Sequence, residues 1–255
     1  MAESKIYLGD TNIEAFYNGS SSVSLYLGDE KLYPLGFQGK LKGIISGGTP
    51  YIVDCNDSTI LTSTETSYQK SSMLSYEIGK CVETIGANAF SGSKNKLTSF
   101  TMSDSVKYIE DNCIIGMENL NVLKLSENIE TIGNNGLNSF TVYGTPNLVL
   151  NFPKLRSAGN YFLWWINTNS TLSVTVTIGE NITSIGQYFL NYDSMYTRPQ
   201  KVDLTINAII PPTLGNYAFT NLGSKLNIYV PSEAVDAYKA ASGWSTFADR
   251  IQPIT

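Results

Sequence analysis

A single phrase recurs along this chain and limits what it can fold into. An aliphatic residue, usually followed by Gly, is joined by an apolar or small residue four positions on and an apolar residue five on. The copies are Ile85-Gly86-Ala87-Asn88-Ala89-Phe90, Ile109-Glu110-Asp111-Asn112-Cys113-Ile114 and Ile132-Gly133-Asn134-Asn135-Gly136-Leu137. They continue as Ala158-Gly159-Asn160-Tyr161-Phe162-Leu163, Ile185-Gly186-Gln187-Tyr188-Phe189-Leu190 and Leu214-Gly215-Asn216-Tyr217-Ala218-Phe219. An apolar residue three positions earlier usually joins in: Val82, Val106, Ile129, Leu155 and Ile182. The spacing drifts from 23 to about 30 residues, a period that signals a repeat architecture.

Between copies lies a short alternating segment. Examples are Leu97 to Met102, Leu120 to Leu125, Leu148 to Phe152, Leu172 to Ile178, Val202 to Ile206 and Leu226 to Val230, with Leu74 to Ile78 as a weaker first copy. Period-two alternation with β-branched residues reads as strands with one buried face. One strand and a turn cannot bury an apolar face alone, so the units must stack. The expectation is a β-rich, right-handed repeat solenoid over residues 72–230, with seven strands in one parallel sheet. At about 4.8 Å per rung that sheet runs roughly 30 Å. The recurrent Phe or Leu should plug the interior, and Asn and Gly at the corners should supply positive-φ turns. The longer units, around Trp164-Trp165 and Asp193 to Pro199, carry insertions.

These residues resemble the BspA-like leucine-rich repeats, whose usual phrase is near "LTSITIPDSVTSIGxxAFxxC". Leu97 to Ile114 and Leu120 to Leu137 carry the match, which covers about residues 72–230 and departs from the pattern around 140–170 and 191–201. Residues 231–255 resemble the ending common on such arrays, with Arg250, Ile251 and Pro253 in place. There Ser232 is expected as an N-cap. Ala234, Val235, Tyr238 and Ala241 are expected as the apolar face of a capping helix, Gly243 as its end and Trp244 as packing.

The first 35 residues follow a shorter period. Tyr7-Leu8-Gly9-Asp10 returns as Tyr17-Asn18-Gly19-Ser20 and as Tyr26-Leu27-Gly28-Asp29. Gly-Asp and Asn-Gly between apolar runs are turn signals, so residues 1–35 read as a small module of β-hairpins. Some 35 residues build no stable core alone, which points to docking, anchoring or trimerisation through Tyr7, Tyr17 and Tyr26. The phrase Leu25 to Pro34 resembles N-terminal segments of virion proteins from tailed phages of gut bacteria. Residues 36–71 are a Gly-, Ser- and Thr-rich connector, with a strand-like Tyr51-Ile52-Val53, able to serve as an N-terminal cap.

Composition excludes whole classes of chemistry. There is no His, which removes the commonest general base and metal ligand. Only 15% of residues are charged, with a net charge of −5. Nucleic acid needs clustered Lys and Arg, so no nucleic-acid partner is expected. No long apolar run suggests membrane insertion, and the first ten residues lack a basic segment followed by an apolar run, so export by the Sec pathway is not expected. Cys55, Cys81 and Cys113 are odd in number with no CxxC pair, giving no disulfide framework or zinc signature; they read as small buried hydrophobes. No nucleophile elbow, phosphate loop or dinucleotide fingerprint is present. Gly43, Gly47 and Gly48 read as loop glycines, and Glu110 with Asp111 as solvated turn charges. No cofactor and no metal are implied, and the chain is not expected to be an enzyme.

Recognition is expected instead from aromatic residues. Tyr161, Phe162, Trp164 and Trp165 fall in one longer unit and Tyr188, Tyr192 and Tyr196 in the next. Exposed Trp beside Tyr suits a protein or glycan contact, and the candidates chosen are Trp165, Tyr192 and Tyr196. Together with the resemblances, this implies a virion structural protein such as a head fibre, decoration or tail-associated adhesin. It would be a homotrimer anchored to other virion proteins by its N-terminus, displaying the array to a host surface protein or glycan. A bacterial cell-surface adhesin is the alternative.

Overall fold

The alternating segments form strands whose burial alternates in step. In Ser173–Ile178 and Leu226–Val230 every second residue is buried, and Asn147–Phe152 shows the same pattern. The computed structural model describes the backbone of residues 4–8, 11–16, 24–27 and 30–32, and residues 39–66, 72–92, 96–142, 147–164, 173–191 and 199–255. The chain divides into two units, Met1–Gln38 and Gly39–Thr255.

The smaller unit holds four strands, Ser4–Leu8, Thr11–Phe16, Ser24–Leu27 and Glu30–Leu32, each antiparallel to the next. Leu8 stands opposite Thr11 and Leu27 opposite Glu30, while the Gly-Asp steps read as turns lie outside the described residues.

In the larger unit the repeats pair in two ways. A ladder of seven two-residue strands runs Ile60–Leu61, Thr84–Ile85, Tyr108–Ile109, Thr131–Ile132, Ser157–Ala158, Ser184–Ile185 and Thr213–Leu214, all parallel and in register. This ladder is made by the first residue of each repeated phrase. The longer strands form two sheets, not the single seven-stranded sheet expected. Met73–Ile78, Ser99–Met102 and Val122–Lys124 make one; Asn147–Phe152, Ser173–Ile178, Lys201–Ile206 and Leu226–Val230 make the other. The interruption has a local cause. Ile114–Leu120 and Leu137–Val142, which the phrase alone leaves as turns, extend and pair with each other in a separate parallel sheet. Among the described strands Val122–Lys124 then pairs with Ser99–Met102 alone, with Leu123 opposite Phe100 and Val122 49% exposed.

The core follows the phrase. The fifth-position residues Phe90, Ile114, Leu137, Leu163, Leu190 and Phe219 are all buried. Ring contacts link Tyr76, Phe90 and Phe100 in one group, and Phe152, Phe162, Phe189, Phe219 and Trp244 in another. Edge-on and tilted pairs of this kind contribute about 0.5–1.5 kcal/mol beyond their buried area.

The repeat glycines do not act as positive-φ corners. A Cβ on Gly186 would lie 2.5 Å from the carbonyl carbon of Gly159, and one on Gly215 would lie 2.2 Å from the backbone nitrogen of Gln187. These glycines let consecutive backbones touch. The positive φ belongs to the residue two positions later, which is Asn or Tyr. Gly43 is also no loop residue: it sits within strand Leu41–Ile45, while Gly47 and Gly48 turn the hairpin to Pro50–Val53 with φ of 100° and 84°.

Both ends of the larger unit are covered. The hairpin of Leu41–Ile45 and Pro50–Val53 lies antiparallel to Met73–Ile78 and closes that sheet edge. Lys40, 1% exposed, donates to Glu65 Oε1 and to the Ile60 carbonyl, each at 2.8 Å. Burial raises the Glu65 pKa, but bonds from Lys40 and Thr62 outweigh it and hold the carboxyl below its ordinary value. The cysteines correct the reading from composition. Cys55, which is exposed, and Cys81 form a disulfide across 26 residues. An odd count hid it, because the pair meets only when the cap folds back onto the first rung. Closing such a loop contributes about 3.5 kcal/mol on the chain-entropy account. Cys113 alone is a buried thiol, its pKa pushed up to about 12 by burial and by the nearby Glu110.

At the C-terminus the helix is short. Ser232–Ala234 is a 3-10 turn, Val235–Ala240 is α-helical, and Trp244–Arg250 is again 3-10. Ser232 does not cap: its hydroxyl goes to Glu233, and Pro231 holds the N-cap position. Ala234 and Tyr238 are buried, with Val235 and Ala241 packed beside them. Gly243 takes φ 80°. Trp244 is fully buried and donates to the Pro212 carbonyl at 2.8 Å, and Tyr238 donates to that of Ala208.

Two tests follow from this packing. Gly186→Ala puts a methyl against backbone that has no rotamer to move, and urea denaturation should register a loss of at least about 2 kcal/mol. Glu65→Gln leaves Lys40 buried without its counter-ion and should cost about 2–4 kcal/mol at neutral pH. Because the folded pKa of Glu65 is depressed, its contribution is complete above the ordinary value of 4.5 and fades as pH falls through the folded value. The wild-type chain should therefore lose stability across that acid range and the variant should lose less.

Candidate functional site

Each repeated phrase turns its corner three residues after its first residue. The corner residues are Asn88, Asn112, Asn135, Tyr161, Tyr188 and Tyr217, with φ between 51° and 60° in all six. Their backbones bond from repeat to repeat. Asn88 N–H donates to the Asp111 carbonyl, Asn112 to Asn134, Asn135 to Asn160, Tyr161 to Gln187 and Tyr188 to Asn216, at 2.8–3.2 Å. The residue just before the corner adds a side-chain tie in three of the repeats. Asp111 Oδ1 accepts from Asn134 N, Asn134 Oδ1 from Asn160 N, and Asn160 Oδ1 from Gln187 N, at 2.7–3.0 Å. Glu110 accepts from Ala87 N at 2.9 Å. Glu110 and Asp111 are thus exposed but bound to the neighbouring repeats, which corrects their reading as free solvated charges.

The first three corners suit their residue. Asn enters the left-handed region at small cost because its amide bonds locally, and here Asn135 Nδ2 donates to Asn112 Oδ1 at 3.2 Å. The last three do not. A bulky residue in this region is an outlier, costing of the order of 1–2 kcal/mol. What the tyrosines gain is one another. Tyr161 stacks on Tyr188 with centroids 4.9 Å apart and planes within 7°, and Tyr188 on Tyr217 at 5.3 Å and 21°. Trp164 meets Tyr161 edge-on at 5.3 Å. Tyr161, Tyr188 and Trp164 are half-buried, and Tyr217 is 63% exposed.

An edge results. From Asn134 to Tyr217 each rung offers an amide and its neighbour: Asn134-Asn135, Asn160-Tyr161, Gln187-Tyr188 and Asn216-Tyr217. None of these eight side chains is charged. The rungs stand on the ladder that joins the whole unit, so the edge is held at fixed spacing before any ligand arrives. Pre-organisation of this kind lowers the ordering cost of binding.

Of the residues chosen from sequence, Trp165, Tyr192 and Tyr196 lie outside the described residues, as does Tyr17. Tyr7 pairs along the backbone with Asn12, and Tyr26 with Glu14 and Lys31. Tyr161, Trp164 and Tyr188, members of the aromatic zone in the sequence, are brought together. Tyr217 stands in the sequence as part of its repeated phrase. The signal that finds it is the recurrence of Asn-Tyr, Gln-Tyr and Asn-Tyr at one offset in three consecutive copies. Among the described residues no group of three or more acidic, Cys or His side chains is placed to hold a metal. No helix among them is long and apolar enough to cross a membrane.

The family model for the BspA type leucine-rich repeat region matches residues 62–197 in six copies. The chain belongs to the BspA-type leucine-rich repeat family. No curated protein matches it. The matched region takes in the cap helix Ser63–Thr66 and the corners Asn88 through Tyr188. The ladder continues one rung past it, since Thr213–Leu214 pairs in register with Ser184–Ile185 and carries Tyr217. A BspA-type repeat region points to a protein-binding or adhesion-type role, and the amide–tyrosine edge is the surface in this member best suited to one.

The balance of terms at Tyr217 can be measured. Tyr217→Asn relieves about 1–2 kcal/mol of backbone strain and gives up one stacked pair worth about 0.5–1.5 kcal/mol. Chemical denaturation should find the variant as stable as the parent or up to about 1 kcal/mol more stable. A loss above about 2 kcal/mol, as for a core aromatic, would mean that Tyr217 serves packing alone.

Proposed function

We propose that this chain is a non-enzymatic, adhesion-type binding protein, built as a repeat solenoid, whose contact edge is the amide–tyrosine ladder ending at Tyr217. The observation that carries the reading is the substitution of Tyr for Asn at three successive left-handed corners. The strain of a left-handed Tyr is about 1–2 kcal/mol and stacking does no more than offset it, so stability does not select Tyr there and the rings are kept for what they touch. The disulfide fits a protein that works outside a reducing compartment, as on a virion or cell surface. The four-stranded N-terminal unit is too small to be stable by its own core, which supports an anchoring or assembly role. The resemblance of Leu25 to Pro34 to phage virion segments favours a virion, with a bacterial cell surface as the other setting. A homotrimer assembled through the N-terminal strands is the form we favour.

The test uses beads coated with the whole chain and passed over immobilised bacterial envelopes and mucin. Tyr188→Asn/Tyr217→Asn should cut bead retention by roughly tenfold, the equivalent of about 1.4 kcal/mol, with the melting curve unchanged. Retention equal to the parent's on every surface would overturn the edge assignment. Mass photometry checks the assembly reading: the full chain should be trimeric, and residues 39–255 monomeric.

A further inference from the structure

The ligand class of this edge follows from its spacing. We infer that the ladder binds an extended, uncharged polysaccharide lying along the rungs, one sugar unit to each. The inference rests on the adhesion reading above and adds the chemistry of the ligand. A site that repeats selects a ligand that repeats. The ring centroids of successive tyrosines stand 4.9 and 5.3 Å apart, close to the length of one hexose in an extended 1,4-linked chain. An extended peptide advances about 3.3 Å per residue and falls out of step after the first rung. It would also present side chains that alternate between two faces.

The chemistry of the rungs agrees with the spacing. Each offers an amide, a group that suits hydroxyls, with Oδ1 of Asn134 and of Asn160 already accepting one backbone N–H, and the last three rungs add a phenol whose hydroxyl reaches the wet side. The stacked rings of Tyr161 and Tyr188 present their edges and hydroxyls. Tyr217 ends the column at 63% exposure, and among the described residues no further ring stacks on it, which leaves a ring face for the terminal sugar. None of the eight side chains of these rungs is Lys or Arg to attract an anionic polymer, and Glu110 with Asp111 at the far end would repel one. Protein contacts of high affinity are built around desolvated Trp, Tyr and Arg anchors in pockets. These eight rung side chains include no Arg, and the rungs repeat instead of converging.

Affinity electrophoresis of the whole chain tests the inference, with hydroxyethyl cellulose, mixed-linkage β-glucan or glucomannan in the gel and dextran, a flexible α-linked chain, as the comparison. At least one extended polymer should slow the protein and dextran should not. Tyr217→Asn and Asn216→Ala should each weaken the interaction several-fold, and Tyr188→Asn/Tyr217→Asn by roughly tenfold or more, with melting curves matching the parent. Equal retardation by dextran would overturn the argument from spacing. No retardation by any extended polymer, while bead retention still depends on Tyr188 and Tyr217, would overturn the polysaccharide and leave an adhesion edge for protein. Loss of both dependences would remove the edge itself.

Discussion

The larger unit depends on one contact, the near touch of backbone on backbone between consecutive repeats at the start of each phrase. Gly159, Gly186 and Gly215 stand where any Cβ would enter the preceding repeat's main chain. Because they have none, the two-residue strands beside them can approach closely, and the ladder pairs in register through seven rungs. The longer strands tolerate a break between Val122–Lys124 and Asn147–Phe152, but the short ladder does not break. It fixes the rung spacing that both the core and the corner inherit.

The same contact explains how the chain holds tyrosines in an unfavourable backbone region. The N–H of every corner from Asn88 to Tyr188 is bonded to the next repeat's carbonyl, and the side chains of Asp111, Asn134 and Asn160 are tied to the next backbone. A corner so determined from both sides cannot relax when its residue changes from Asn to Tyr, so the strain is stored and offset by ring stacking. Inside the unit the fourth and fifth positions answer each other in size: Ala89 with Phe90, but Phe162 with Leu163 and Phe189 with Leu190, all buried. The interior is filled in each of these copies by its own pair of side chains, all of them packed without exposure.

Much of this was legible in the residues. Anchors that recur at a steady offset, and strands that alternate apolar and polar, state which side chains go inside, and Ile85, Ile109, Ile132 and Ile185 go there. The buried packing of Trp244 could be read from the ending of the chain. Less legible were features made by two segments at once. Cys55 and Cys81 lie in different segments and meet only across the cap. Glu110 and Asp111 look like surface charge until the neighbouring repeats supply their N–H groups. Ser232 has the side chain of an N-cap, but Pro231 occupies the cap position.

By itself the sequence determined the unit of construction, the identity of the interior face and the presence of a repeat at which Asn gives way to Tyr, because periodicity is a local property that neighbours along the chain enforce. Only the tertiary structure decided that the long sheet divides in two, that two cysteines join, and that Tyr161, Tyr188 and Tyr217 form one column. Those outcomes depend on distances between residues some 25 to 30 positions apart, and such distances exist only after one repeat has settled its backbone against the next.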